Sequence, residues 1–227
     1  MRRKLIFISA VICSALLFAG CGGGDSGSIS GIVTGSSDSS SSSEEEVIPT
    51  DRIRDIESAA DFEYEVIGDH AVITRYTGSG GVVEVPGEID GKPVGEIGYY
   101  AFEAKYGVTA VILPETVNTI GEGAFMDCSG LESINLPEAV TGIERGAFVS
   151  CTSLRELTVP AGVQFIHEEA FTACEGLTSL TIKNPELKYE NWGLEELPEL
   201  TVIAPEGSAV LKWAAEKGLS VSPMEDL

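Results

Sequence analysis

The sequence predicts an α/β solenoid, a stack of 23-residue coils made of short parallel strands and short helical or 3-10 segments, with a β-hairpin at its start and a helix at its end. Three observations carry this. Ala-Phe pairs recur 23 residues apart at Ala101-Phe102, Ala124-Phe125, Ala147-Phe148 and Ala170-Phe171. Ile97, Ile120, Ile143 and Ile166 keep the same step, as do Pro114, Pro137 and Pro160, and Cys128, Cys151 and Cys174. Val108, Leu131, Leu154, Leu177 and Leu200 open successive units in that register. A fixed period of this length is the signature of stacked repeats.

One unit reads L-x-x-[IL]-x-[LV]-P-x-x-V-x-x-I-x-x-x-A-F-x-x-C-x-x, as in "LESINLPEAVTGIERGAFVSCTS" from Leu131 to Ser153. Apolar residues at positions 4 and 6 alternate as in a strand with one buried face. The Pro at position 7 ends that strand, having no N–H to give a neighbour. Val at 10 and Ile at 13 turn the chain inward. The A-F-x-x-C stretch then reads as a short helical or 3-10 segment with Phe and Cys inside. No coil closes its own core. Neighbours about 4.8 Å away do so by laying like side chains over one another.

The pattern resembles the BspA-type leucine-rich repeats of bacterial surface proteins, from about Asp61 to the C-terminus. "VEVPGEIDGKPVGEIGYYAF", Val83 to Phe102, looks like that family's first repeat, and three full units follow. We number the coils 1 to 5, coil 1 ending at Gly107 and coil 5 running from Leu177 to Glu199. Coil 1 carries five extra residues between Pro86 and Val94 and has Lys105 where Cys is expected. In coil 5, Lys183 replaces Pro, Tyr189 replaces Ile, Gly193-Leu194 replaces Ala-Phe, and Leu197 takes the Cys place. Terminal repeats are usually atypical because one face meets water.

Before the stack, Phe62 to Val66 and Ala71 to Tyr76 flank Gly68-Asp69 as a hairpin. The resemblance implies that it covers the first coil's open edge. After the stack, Ser208 is placed to cap a helix from Ala209 to Lys217, with Leu211, Trp213 and Ala214 on its apolar side and Gly218 ending it.

Residues 1–20 read as an export signal. Arg2, Arg3 and Lys4 precede an apolar run from Leu5 to Ala19 that is short for a membrane span. Leu17-Phe18-Ala19-Gly20-Cys21 resembles a bacterial lipobox, which implies that Cys21 becomes the lipidated first residue of the mature chain. The alternative is an ordinary signal peptide cleaved near Ala19 or Gly20, with Cys21 free. Residues 21–60 then form a tether, rich in Gly and Ser and carrying "SSDSSSSSEEE" at Ser36 to Glu46. Such a segment has too few apolar residues for a core and an r.m.s. span of roughly 30 Å. Residues 61–227 are the capped solenoid.

The formal charge is −22, so a nucleic acid is not an expected partner, because phosphate binding needs clustered Lys and Arg. It also argues against lying flat on anionic lipid, leaving the N-terminal lipid as the membrane contact. It serves solubility or selects a basic partner. Cys128, Cys151 and Cys174 occupy one repeat position and read as a buried column of free thiols. None has a second Cys or His at metal-ligand spacing. His167 opens "HEEAF", whose place for a second zinc ligand is the core Phe171. No motif of a hydrolase elbow, phosphate loop, calcium loop or dinucleotide site occurs, so no catalytic residue, cofactor or metal is expected.

What remains is a display surface. The outward strand positions 3 and 5 supply Ala110 and Ile112, Ser133 and Asn135, Glu156 and Thr158, and Ser179 and Thr181. These are the candidate ligand-binding residues. Tyr99, Tyr100 and Tyr106, on the irregular side of coil 1, are a second candidate. The sequence reading is a monomeric, lipid-anchored cell-surface protein that binds an extracellular or envelope protein or glycan; adhesion is what the resemblance implies. The alternative is an envelope scaffold that binds proteins of its own cell.

The lipobox reading is tested by mass spectrometry of the mature N-terminus. The expected result is a lipid-modified Cys21, with Cys21→Ala blocking processing or releasing the protein from the membrane. An unmodified N-terminus at or after Cys21 would rule the anchor out.

Overall fold

The computed structural model describes residues 59–224. Residues 1–20, expected to be an export signal, Cys21, expected to carry lipid, and nearly all of the expected tether 21–60 lie outside the described residues. Phe62–Ile67 (β1) and His70–Tyr76 (β2) form the antiparallel hairpin, with the chain reversing at Gly68, φ 66°. Gly81–Glu84 (β3), Glu88–Ile89 (β4) and Lys92–Ile97 (β5) belong to coil 1. The five extra residues of that coil build a small hairpin between β4 and β5. Its turn is Asp90-Gly91, both at positive φ, the conformation that suits a two-residue hairpin loop.

Each later coil contributes two short strands. The first set is Val108–Ile112 (β6), Ser133–Ile134 (β8), Glu156–Val159 (β10) and Ser179–Ile182 (β12), continued after coil 5 by Thr201–Pro205 (β14). The second set, at positions 12 and 13, is Thr119–Ile120 (β7), Gly142–Ile143 (β9), Phe165–Ile166 (β11) and Lys188–Tyr189 (β13). These two-residue strands extend a sheet in the order β1-β2-β5-β7-β9-β11-β13, which the sequence pattern does not reveal. On the other side the strands fall into two sheets, β3-β6-β8 and β10-β12-β14 closed by Ser220–Met224 (β15).

The A-F-x-x-C segments are successive turns closed by i→i−3 hydrogen bonds, such as Glu103 N–H to Tyr100 O and Lys105 N–H to Phe102 O. The copy in coil 5, Leu194–Glu196, is a 3-10 helix. The turns do not wind into helices because alternate amides reach the next coil instead. Tyr100, Phe102 and Ala104 donate to Glu122, Ala124 and Met126 at 2.8–3.0 Å, and the same triplet recurs from coils 2 and 3. Two positions per coil take left-handed φ to aim those amides: Tyr100, Gly123, Gly146 and Glu169, and Ala104, Asp127, Ser150 and Ala173.

The repeated side chains form columns. Phe102, Phe125, Phe148 and Phe171 are fully buried and stack with ring centroids 5.0, 5.4 and 5.7 Å apart. Tyr76, from the hairpin, adds a ring to the column, 5.0 Å from Phe102. The isoleucine column is likewise solvent-free. The cysteines are free and buried, and each thiol donates to the carbonyl of the Phe one coil back: Cys128 to Phe102, Cys151 to Phe125 and Cys174 to Phe148, at 2.9–3.2 Å. Burial pushes the Cys128 and Cys174 thiols up to about 12 and raises that of Cys151 as well. These thiols stay protonated, and they act as donors and not only as small apolar groups.

The C-terminal helix, α1, is Ala209–Glu216, capped by Ser208 accepting from the Leu211 N–H and ended at Gly218, φ 79°. It returns the chain to β15, a strand the sequence reading did not anticipate, parallel to β14. At this end Trp192 is buried between Tyr189, stacked at 4.4 Å, and Trp213, edge-on at 5.0 Å. Among the described residues no helix is long and apolar enough to cross a membrane.

Two outcomes follow. Phe148→Ala, in the middle of its column, should destabilise by about 3–5 kcal/mol in chemical denaturation. The three thiols should resist a disulfide-exchange reagent in the folded protein and react together on unfolding; fast labelling of any one would contradict the buried column.

Candidate functional site: a break in the repeat sheet

Along one side of the solenoid, position-matched strands pair coil to coil. β3 pairs β6, β6 pairs β8, and β10, β12 and β14 pair in register. β8 of coil 3 and β10 of coil 4 do not pair, and the sheet divides there. Beside the break, Asn135 is bonded across the other seam of coil 3, to coil 2. Its carboxamide Oδ1 accepts from the Leu113 N–H at 2.7 Å, and its Nδ2 donates to the Leu113 carbonyl at 3.0 Å. A side-chain amide thus extends the contact between coils 2 and 3 beyond the two paired residues of β8. β8 ends at Ile134, whereas the pairing of β10 with β12 runs on through Thr158–Thr181 and Val159–Ile182.

The break opens a groove of about 780 Å3. Its floor is aliphatic: Ile134, 9% exposed, half-buried Leu136, and Leu157. In coils 2 and 5 the side chains at positions 4 and 6 are more fully enclosed, with Val111 and Leu113 at 2% and Leu180 and Ile182 at 0%. The rim carries Glu132, Ser133, Asn135, Arg155, Glu156, Thr158, Ser179 and Thr181. Arg155 has no ion-pair partner among the described residues, so the rim offers a cation, two carboxylates and four hydroxyls to an incoming surface.

The structure therefore brings six of the eight outward strand residues to one groove: Ser133, Asn135, Glu156, Thr158, Ser179 and Thr181. Ala110 and Ile112 lie on the intact part of the sheet, with Ile112 47% exposed. Asn135 is not simply a displayed residue, because its amide is spent on coil 2. The sequence reading missed Glu132 and Arg155 at position 2 and Leu136 at position 6. Position 2 alternates in charge across the break, and that is the signal which could have pointed to it. Of the tyrosines, Tyr99 and Tyr100 touch, their rings 4.1 Å apart at 71°, while Tyr106 lines a separate hollow with Ser79 and Gly80.

His70 and His167 are not arranged for catalysis. His167 sits between Glu144 and Glu190 of the adjoining coils, at 3.5 and 3.3 Å through different ring nitrogens. His70 packs against the backbone at Gly95, where a Cβ would approach its ring to 3.0 Å. Among the described residues no group of His, Cys, Asp or Glu is placed to hold a metal ion.

A stack of like coils with a groove on its strand face defines a solenoid repeat scaffold. The BspA type leucine rich repeat region matches residues 95–201 in six copies. A leucine-rich-repeat protein of T. pallidum of known structure is 31% identical, over 66% of this chain and 71% of that one, with a TM-score of 0.62. The chain belongs to the BspA-type leucine-rich-repeat family. A leucine-rich-repeat protein from Bacteroides capillosus is 28% identical over 56% of this chain and 96% of its own, TM-score 0.49. The pneumococcal vaccine antigen PcpA shares the fold at 16% identity and a TM-score of 0.51, over 76% of this chain and half of its own length. No curated protein matches significantly in sequence. The matched family is a repeat family and not a catalytic one.

If the Asn135 amide ties coil 3 to coil 2, Asn135→Ala should leave the Leu113 N–H and carbonyl without that partner and lower stability by about 1–3 kcal/mol in urea unfolding. Asn135→Ser, unable to span both groups, should behave the same way; unchanged stability in both would show that the amide is not a structural clamp.

Proposed function

We propose that this chain is a lipid-anchored cell-surface protein that binds a partner protein in the groove between coils 3 and 4. The groove is the observation that carries the reading: an aliphatic floor, hydroxyls and both charges on the rim, and strand edges left without a neighbour. Buried apolar contact ringed by polar groups is the usual anatomy of a protein interface. No aromatic ring lines the groove, so a sugar would find no stacking platform there, and we favour a protein over a glycan. Anchoring rests on the lipobox-like Leu17 to Cys21 and reach on the Gly- and Ser-rich tether. Adhesion to foreign cells or matrix follows from the family's association with bacterial surfaces, and an envelope scaffold is the alternative that a capture experiment separates.

The test is parallel affinity capture from host extract and from the cell's own envelope, using the wild-type chain and a Thr158→Arg variant. Thr158 is exposed and away from the core, so the variant should fold with an unchanged melting temperature. A partner of the groove should be retained by wild type and bind Thr158→Arg more weakly by over about 1 kcal/mol, the loss typical of an interface centre. A host partner supports adhesion and an envelope partner the scaffold. Equal binding to both forms would remove the groove as the site.

A further inference from the structure

We propose a second binding site on the turn side of coils 1 and 2, where Tyr99 and Tyr100, flanked by Glu103 and Glu122, receive an arginine or lysine side chain from a partner protein. This goes beyond the groove: it lies on another face, names the partner's chemistry, and stands or falls separately.

The backbone raises the question first. Tyr100 has φ 52°, a left-handed conformation that a bulky side chain rarely adopts. The same repeat position is Gly123, φ 60°, and Gly146, φ 62°, in the next two coils. In coil 4 it is Glu169, which has a partner: Arg145 donates to its Oε2 through Nε at 3.2 Å and Nη2 at 2.9 Å. Tyr100 has no comparable ion pair to explain it.

Its ring lies over the next coil, and a Cβ at Gly123 would come within 2.7 Å of Tyr100 Cε1. Gly123 therefore gives the ring its seat, and the seat holds the ring still. Tyr99 stands edge-on against it and is 66% exposed. A large aromatic held in place before binding loses little freedom on contact, which is why such residues anchor interfaces.

The charges around the pair select the ligand. Glu122 and Glu103 are near enough that their fields help raise the Tyr100 hydroxyl above its usual range, after the hydrogen bond to Tyr99 and burial. Neither carboxylate has an ion-pair partner among the described residues. Arg145 stacks one coil beyond Glu122 but turns its guanidinium to Glu169. Arg145 also feels Glu122, after Glu169 and Glu168, so Glu122 is only partly met and Glu103 has no ion pair; such carboxylates beside an exposed aromatic face attract a cation that also stacks, and a guanidinium does both. An aliphatic ligand would gain nothing from the carboxylates, and an acidic one would be repelled in a chain of formal charge −22.

The test uses the full chain and a short labelled peptide of three arginines flanked by glycines, with a citrulline peptide of the same shape and no charge. Binding is read by fluorescence anisotropy at about 0.15 M salt, where distant surface charges are screened. The arginine peptide should bind wild type. Tyr99→Ala and Glu122→Gln should each weaken it about five- to tenfold, and Tyr99→Phe should keep most of the affinity. Glu216→Gln, on the distant C-terminal helix, should change nothing. The proposal is overturned if Tyr99→Ala binds as wild type does or if Glu216→Gln loses as much as Glu122→Gln, since the peptide would then only adsorb to acidic surface. Equal binding of the citrulline peptide, or no binding of the arginine peptide by wild type at millimolar concentration, overturns it as well. None of these results bears on the groove, because Thr158→Arg reads that site.

Discussion

The structure depends on one condition, that no coil can complete its own core or its own hydrogen bonding. Twenty-three residues wound once leave a line of side chains open at the top and bottom and rows of amides facing outward on three sides. Each row is satisfied by the next coil. Ile120 closes on Ile97 and Ile143, Phe125 on Phe102 and Phe148, and the turn amides donate forward while the two-residue strands donate back, as Gly121 does to Ile97 at 2.8 Å. Identical residues at identical positions are the simplest answer to that condition, because a side chain that fits above its copy also fits below it.

This is why so much of the fold could be read from spacing alone. The Phe, Ile, Pro and Cys ladders mark the positions that touch their own copies, and all four are where the repeat places them. What spacing could not show is what does not repeat or is too short to leave a pattern. β7, β9, β11 and β13 are two residues each, below the length at which alternation is visible. β15 follows a helix and contains Pro223, a poor strand former that is tolerated on an edge strand. Tyr76 joins the phenylalanine column from outside the repeat, and nothing in its own segment marks it as a core ring. The cysteine column was legible as buried, yet the S–H donation to the Phe carbonyl one coil back depends on how adjacent turns are offset.

The candidate groove was half legible for the same reason. Positions 3 and 5 point outward in every coil, so the sequence gathers Ser133, Glu156, Thr158, Ser179 and Thr181 on one face along with Ala110 and Ile112. It does not say where along that face a ligand would find depth. Depth comes from a single departure, the missing pairing between β8 and β10, and no spacing in the sequence marks where a ladder stops. The residues that the break exposes, Leu136 and the position-2 pair Glu132 and Arg155, look like ordinary core and ordinary surface until the ladder is seen to stop.

The left-handed positions show how the repeat separates structure from specificity. Aiming the turn amides at the next coil requires positive φ at two places in each coil, and Gly meets that need without steric penalty. Gly123 and Gly146 take that solution. At the second place Ala104, Asp127, Ser150 and Ala173 are held left-handed by the stack itself; at the first, a side chain in place of Gly adds a strain of about 1–3 kcal/mol and a new group on the surface. Glu169 has Arg145 from the neighbouring coil, with two N–H groups on one carboxylate oxygen. Tyr100 has only the bare backbone of Gly123 beneath its ring and Tyr99 at its edge, contacts that hold it in place but leave its surroundings acidic and open. A conformation enforced by the stack thus becomes a fixed point of display, and a repeat built on identity acquires a distinct surface without any change to the core that supports it.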